Sequence, residues 1–357
     1  MGRISEIIRQ DIQNMQAYAV ADVPPGSIKL DAMELPYRFE PPLMEALVRE
    51  LVQAQVNLYP NPAVSGLQPL LKEVFRIPEQ AQVVLGNGSD ELIQLMTMLV
   101  AKPGAKVMAL GPSFVMYRHN AQLFGLDYIE VPLHADFTLN LPALLAALDE
   151  HRPDLLFIAY PNNPSGVCFS RDEVAAAIEA APGLVVVDEA YGAFSEDSFL
   201  NLSGCEEKLV VIRTLSKIGF AGLRIGYAAG HPAVMGELAK IVPPYNMNQL
   251  SLVAAKFALR HYDWVAEKVA LLKAERGRLF DGLSALPGVT VFASQTNFLT
   301  IRVPDAASVF EALRESGIWV KKLHGSHPLL AQCLRITVGT PEQNTVVLAN
   351  LGRILAG

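Results

Sequence analysis

Cysteine is scarce in this 357-residue chain: there are three, at Cys168, Cys205 and Cys333, far apart and odd in number. That spacing supplies neither a disulfide framework nor a zinc knuckle. No apolar run approaches the roughly 20 residues that cross a bilayer. Near the start, Arg3, Glu6, Arg9 and Asp11 stand where a secretory signal needs an unbroken apolar segment. Runs of Lys and Arg are missing too. With 29 basic and 36 acidic residues the formal net charge is −7, a poor balance for gripping a phosphate backbone. The expectation is a cytoplasmic protein that engages neither membrane nor nucleic acid. Two motifs are also absent. Without Gly-x-x-x-x-Gly-Lys-Ser/Thr a phosphohydrolase P-loop is disfavoured. The segment Gly86-Asn87-Gly88-Ser89-Asp90-Glu91 has Glu where a dinucleotide fingerprint needs its third glycine. There is no internal repeat and no low-complexity segment.

What is present is apolar: 51% hydrophobic against 18% charged residues. Such a chain can bury an extensive core, and its length allows two domains or one with an appendage. That size points to an enzyme. Ile4, Ile7, Ile8 and Ile12 predict a short amphipathic helix, followed by a Pro24-Pro25-Gly26 turn and an extended arm. Pro41-Pro42 opens a periodic helical run. The middle then alternates short apolar strands (106–110, 128–131, 155–159, 184–187, 209–212) with helical patterns (92–99, 142–148, 174–181). Ser170 and Glu173 read as a capping box before the last of these. Continuous apolar strands between helices predict a mostly parallel sheet covered on both faces. Long helices are expected over 245–260 and 264–286, with a bend near His261. The last 70 or so residues alternate on a smaller scale, as in a second α+β domain.

In open parallel sheets, ligands sit beyond the carboxyl ends of the strands. Several polar residues follow strands there: Phe114 and Tyr117, Asn163, Asp188 and Tyr191, then Thr214, Ser216 and Lys217. Lys217 lies in an apolar, glycine-rich segment where Arg224 is the only other charge. It reads either as an activated amine nucleophile or as a lysine on a surface loop. Asp188-Glu189 is either an ordinary strand end or a metal-ligand pair. The turn at Gly86-Asn87-Gly88 suits a single phosphate, because free N–H groups and the positive helix end face the anion. It also suits a plain helix start. The His324-x-x-His327 pair lacks the further ligands a metal needs and reads as loop surface.

Taken together the motifs resemble the fold-type I pyridoxal-phosphate aminotransferases, and within them the histidinol-phosphate branch. The matching pieces run in order through nearly the whole chain: 29–37, Tyr59-Pro60, 86–91, Pro112-Ser113-Phe114, 160–166, Asp188-Glu189-Ala190-Tyr191, Thr214-Leu215-Ser216-Lys217, 222–227 and 333–340. The resemblance implies an α/β fold, with a large domain built on a mostly parallel seven-stranded sheet and a smaller α+β domain. The expected division is an N-terminal arm joining the small domain (1–40), a large domain (41–260) and a small domain (261–357).

It also implies roles. Lys217 holds pyridoxal phosphate covalently and then moves a proton at substrate Cα; Asp188 pairs with the pyridine nitrogen. Tyr191 and Asn163 bond the ring's phenolic oxygen, and Phe114 stacks on the ring. Ser89, Asp90, Ser216 and Arg224 hold the cofactor phosphate, with Tyr59 reaching it from the neighbouring subunit of a homodimer. Arg335 takes the carboxylate of glutamate or the phosphate of histidinol phosphate, helped by Tyr18 and Lys321 (or Lys322). Tyr18 reads equally as an anchor for the arm. The reaction implied is transamination of histidinol phosphate with 2-oxoglutarate in histidine biosynthesis. Other readings are an aromatic or general amino-acid aminotransferase, a threonine-phosphate decarboxylase, and a cofactor-sensing regulator. The last needs a DNA-binding domain, and only about 30 residues precede Lys29. Two departures from the common pattern are Leu35, in Met33-Glu34-Leu35-Pro36, and Val320-Lys321-Lys322 where Val-Arg is usual.

Overall fold

The computed structural model describes residues 4–17, 21–60 and 66–356. Its centre is a sheet of seven strands: β2 (Gln82–Asn87), β3 (Lys106–Gly111), β4 (Asp127–Pro132), β5 (Leu155–Ala159), β6 (Leu184–Asp188), β7 (Leu209–Thr214) and β8 (Ile225–Gly230). They lie side by side in the order β2-β8-β7-β6-β5-β3-β4. From β7 through β6, β5 and β3 to β4 the neighbours are parallel, while β8 runs antiparallel to both β7 and β2.

The strands alternate between two cores. Val107 and Ala109, Leu155 and Phe157, Val186, Val210 and Ile212 pack on one face with Leu92, Met96 and Tyr117. Met108 and Leu110, Leu156 and Ile158, Val185, Val187 and Val211 pack on the other, with Val174 and Ile178 of a covering helix. Side chains alternate along each strand, so a strand apolar at every position must be covered twice. Each fully buried Leu, Ile or Phe contributes roughly 1.5–3 kcal/mol through this burial.

The arm is tied to the C-terminal elements. Strand β1 (Ile28–Lys29) pairs in parallel with β11 (Ile318–Trp319), and Thr337 N–H donates to Leu30 O at 2.9 Å. A four-stranded antiparallel sheet, β12 (Lys321–Lys322), β13 (Cys333–Thr337), β10 (Phe298–Arg302) and β9 (Thr290–Val291), carries Arg335.

Several local expectations shift. Ser170 occupies the N-cap of the helix Arg171–Ala180, but its hydroxyl makes no cap bond. The side chain is exposed, and Asp172 and Glu173 in the first turn face the positive helix end instead. The helix expected from residue 245 begins at Gln249. Tyr245 is held at φ 58°, outside helical space, and Asn248 supplies the cap by accepting from Ser251 N–H at 2.8 Å. That helix ends at Arg260 and the next, Tyr262–Ser284, follows at once, placing the bend at His261. Among the described residues no helix is long and apolar enough to cross a membrane.

Candidate active site

The parallel strands β3, β5, β6 and β7 end at Gly111, Ala159, Asp188 and Thr214. Because they run the same way, the residues that follow them gather at one edge. Here a cavity of about 470 Å³ opens. Ser89, Asp90, Phe114, Asn163, Asp188, Tyr191, Ser216, Lys217, Arg224, Lys321 and Arg335 all line it. Tyr59 does not; it is 80% exposed and stacks on Tyr245 with ring centroids 4.6 Å apart. Tyr18 lies outside the described residues.

One end of the cavity is built to accept an anion. β2 passes directly into the helix Gly88–Leu99, whose first turn carries Ser89 and Asp90 with backbone N–H groups unclaimed by the helix. Gly88 adopts φ +80°, and a Cβ there would stand 2.6 Å from Arg224 Nη2. Gly226 of β8 is pressed against the same turn, where a Cβ would lie 2.5 Å from the Gly88 carbonyl carbon. Arg224 Nη2 donates to Asp90 Oδ2 at 3.1 Å. Thr214 Oγ1 donates to Ser216 Oγ at 2.9 Å, orienting the serine at the same end.

The other end is acidic and buried. Asp188 is 5% exposed. Its Oδ2 accepts from Tyr117 OH at 2.8 Å and its Oδ1 from Ala190 N–H at 3.0 Å. Burial pushes the carboxyl up to about 6 despite these two bonds, so it is an anion near neutral pH but a strained one.

Lys217 is part-buried on the short 3₁₀ turn Ser216–Ile218 that follows β7. Its Nζ points to Ala32 O at 3.5 Å and sits 5.7 Å above the Tyr191 ring. Burial first, then the Arg335 charge, lower the amine from 10.5 to about 8. A substantial neutral fraction therefore exists near pH 8, as a nucleophile or base requires.

Arg335 enters from β13, beside Lys321 of β12. It is 7% exposed. Nη1 donates to Asn163 Oδ1 at 2.5 Å and Nη2 to Asp31 O at 3.1 Å. The segment that follows β1 therefore contributes to the cavity wall: Asp31, Ala32 and Met33 all line it. Met33 is held at φ 55°, with its N–H on Thr337 Oγ1 at 3.0 Å and its carbonyl on Asn297 Nδ2 at 2.9 Å. Leu35 turns away from the cavity into the core, at 8% exposure.

Tyr117, one of the strand-end candidates, and Glu189, half of the pair that reads as a strand end or as metal ligands, both take supporting parts. Tyr117 reaches Asp188, and its i, i+3 spacing from Phe114 was the available signal. Glu189 does not face the cavity. Its buried carboxylate accepts from Arg213 Nη2 at 2.7 Å, Ser198 Oγ at 2.8 Å and Phe199 N–H at 2.5 Å, bracing the loop after β6. The two histidines serve loop structure. His324 Nδ1 accepts from Gln332 N–H at 2.9 Å, and His327 Nε2 meets Glu130 Oε1 at 3.3 Å.

A basic anion cup, a lysine amine of lowered basicity, a buried carboxylate and a buried arginine in one crevice suit a pyridoxal-phosphate type of transferase site. The chain belongs to the family of class I and II aminotransferases, whose model matches residues 27–351. It is 60% identical over 351 residues to the histidinol-phosphate aminotransferase of Neisseria meningitidis serogroup B, covering 98% of this chain and 96% of that one. It is 52% identical to the histidinol-phosphate aminotransferase of Chromobacterium violaceum over 98% of both chains. A histidinol-phosphate aminotransferase from Sinorhizobium meliloti, solved in complex with pyridoxal-5'-phosphate, shares the fold at a TM-score of 0.86 and 23% identity, over 98% of this chain and 97% of that one.

Proposed function

We propose that this chain carries pyridoxal 5'-phosphate and transfers the amino group of L-histidinol phosphate to 2-oxoglutarate, giving imidazole acetol phosphate and L-glutamate in histidine biosynthesis. The observation that carries this reading is the near full-length 60% identity to an enzyme of that name. The cavity's own chemistry supports it. A buried anion lies at one end, a helix N-terminus with Arg224 at the other, and Lys217 lines the wall, a donor set suited to a pyridine ring that bears a phosphate and an aldehyde.

When bound, the pyridoxal group supplies an electron sink for the charge left as a proton departs from substrate Cα. Asp188 would hold a proton on the ring nitrogen, and Asn163 and Tyr191 would donate to the phenolic oxygen. Phe114 covers a ring face. Ser89 and Asp90 N–H groups, Ser216 and Arg224 grip the phosphate. Lys217 is the amine that would hold the cofactor's aldehyde carbon, and its lowered basicity, about 8, would suit it to take and return the proton at substrate Cα. Arg335 offers a planar two-pronged donor that suits glutamate's carboxylate and the substrate's phosphate alike. Lys321, its cross-strand neighbour, adds charge to that end.

The working unit is taken to be a cytoplasmic homodimer in which Tyr59 serves the neighbouring site. The exposure of Val52, Val56, Leu58 and Tyr59 along one stretch supports a partner copy there. Residues 1–40 are assigned to the arm, 41–260 to the large domain and 261–357 to the small one, which puts the break between two helices at His261.

The test is amino transfer from a panel of donors, with 2-oxoglutarate as acceptor. Histidinol phosphate should exceed phenylalanine and tyrosine in kcat/KM by at least two orders of magnitude. Equal use of the aromatic amino acids, or carbon dioxide release from threonine phosphate, would refute the assignment.

A further inference from the structure

We infer that Tyr117 is a positioning residue that fixes the orientation of Asp188 and of Phe114 together. This rests on the pyridoxal-phosphate reading above and goes beyond it, since it concerns a side chain of the cavity wall to which that reading gives no cofactor contact.

Tyr117 is the second residue of the helix Met116–Leu123 and is fully buried. Its ring is held from two sides. It lies nearly parallel to Phe157 of β5, 5° between planes and 4.6 Å between centroids, and meets Phe114 edge-on at 84° and 5.8 Å. Packing at this position therefore needs an aromatic ring, and phenylalanine would meet that need. The hydroxyl is the addition. Burying a hydroxyl is unfavourable unless it is bonded, and this one donates to Asp188 Oδ2 at 2.8 Å.

The consequence falls on the carboxylate. A terminal carboxylate torsion is soft. With Ala190 N–H on Oδ1 and Tyr117 OH on Oδ2, both oxygens are anchored, and the carboxylate plane is set. Each oxygen keeps further acceptor capacity for a ring N–H. The phenol also stabilises the anion in a site whose burial opposes it. The same ring abuts Phe114, so the group beneath the cofactor ring and the group at its nitrogen are registered to one rigid element.

The experiment compares Tyr117→Phe with wild type as purified holoenzymes and after resolution of the cofactor. The readouts are the dissociation constant for pyridoxal phosphate, kcat and KM. The variant should bind the cofactor about tenfold or more weaker, the size expected for one hydrogen bond to a charged group. It should lose kcat with little change in KM for the amino donor. Repeating the substitution in an Asp188→Asn background separates positioning from packing. If Tyr117 acts through the carboxylate, its effect on affinity shrinks to less than about threefold there. An unchanged dissociation constant in Tyr117→Phe, or an equal loss in both backgrounds, overturns the inference. If wild type itself takes up no pyridoxal phosphate, the functional reading fails first. If wild type loads normally and Tyr117→Phe matches it, only the role of Tyr117 fails.

Discussion

Gly88→Ala separates two effects of one added methyl. Gly88 sits at φ +80°, and the new Cβ would stand 2.6 Å from Arg224 Nη2. The backbone part costs about 1–2 kcal/mol for an L-residue in left-handed space. It is present whether or not the cofactor is bound, so it appears as a lower Tm, by a few degrees for a chain of this size. The steric part displaces the guanidinium from the anion cup. Losing one charge-assisted bond to phosphate costs about 1.5–3 kcal/mol, or roughly 10- to 150-fold in cofactor affinity. The Arg224–Asp90 pair disturbed on the way is half exposed on both sides and adds little. The assay is absorbance titration of the cofactor-free protein with pyridoxal phosphate, alongside thermal unfolding. Gly222→Ala is the control, because nothing lies within 4 Å of its added Cβ and its φ is ordinary. If Gly88→Ala binds the cofactor as tightly as Gly222→Ala, the phosphate does not sit against Arg224 and this turn.

Lys217→Met should change how the stability of the cofactor-free protein depends on pH. The folded-state pKa is lowered to about 8 from 10.5, so the unfolded chain binds the extra proton in that interval and wild-type stability rises with pH across it. The rise attributable to Lys217 is at most about 3 kcal/mol, less whatever solvent access relieves. Denaturant unfolding at pH 8 and pH 10 should show the difference between wild type and variant; parallel pH dependences would count against a buried amine. Arg213→Met should destabilise by roughly 3–5 kcal/mol, because it strands the fully buried Glu189 carboxylate. Adding Glu189→Gln should recover part of that loss in urea midpoints, and no recovery would mean that the pair is not the cause.

Much of the large sheet was legible because β3, β5, β6 and β7 are continuous apolar runs bounded by turn residues. β2 and β8 were not. Residues 225–230 read Ile-Gly-Tyr-Ala-Ala-Gly, a composition that argues against a strand. The glycine at 226 is there because the Gly88 turn approaches too closely for a side chain. β11 and β12 span two residues each, below any periodicity. The strand-end rule brought Asn163, Asp188 and Lys217 to one crevice without any knowledge of the fold's third dimension. Arg335 could be placed there only through the resemblance, since it meets Asn163 across 172 residues of sequence. The strand-end rule also placed Tyr117 and Asp188 at that crevice, but their bond spans 71 residues and no local pattern marks it. The helix start at Gln249 was hidden because the left-handed Tyr245 is apolar and fits the helical pattern.

The most direct measurement is borohydride reduction of the purified, cofactor-loaded protein followed by peptide mass mapping. The pyridoxyl mass should appear on the peptide containing Lys217 and on no other lysine. The Lys217→Ala protein should give no modified peptide while keeping its unfolding midpoint within a few degrees. Recovery of the label on a different lysine, or a wild-type protein that reduces without retaining any label, would contradict the assignment of Lys217 as the residue that holds the cofactor.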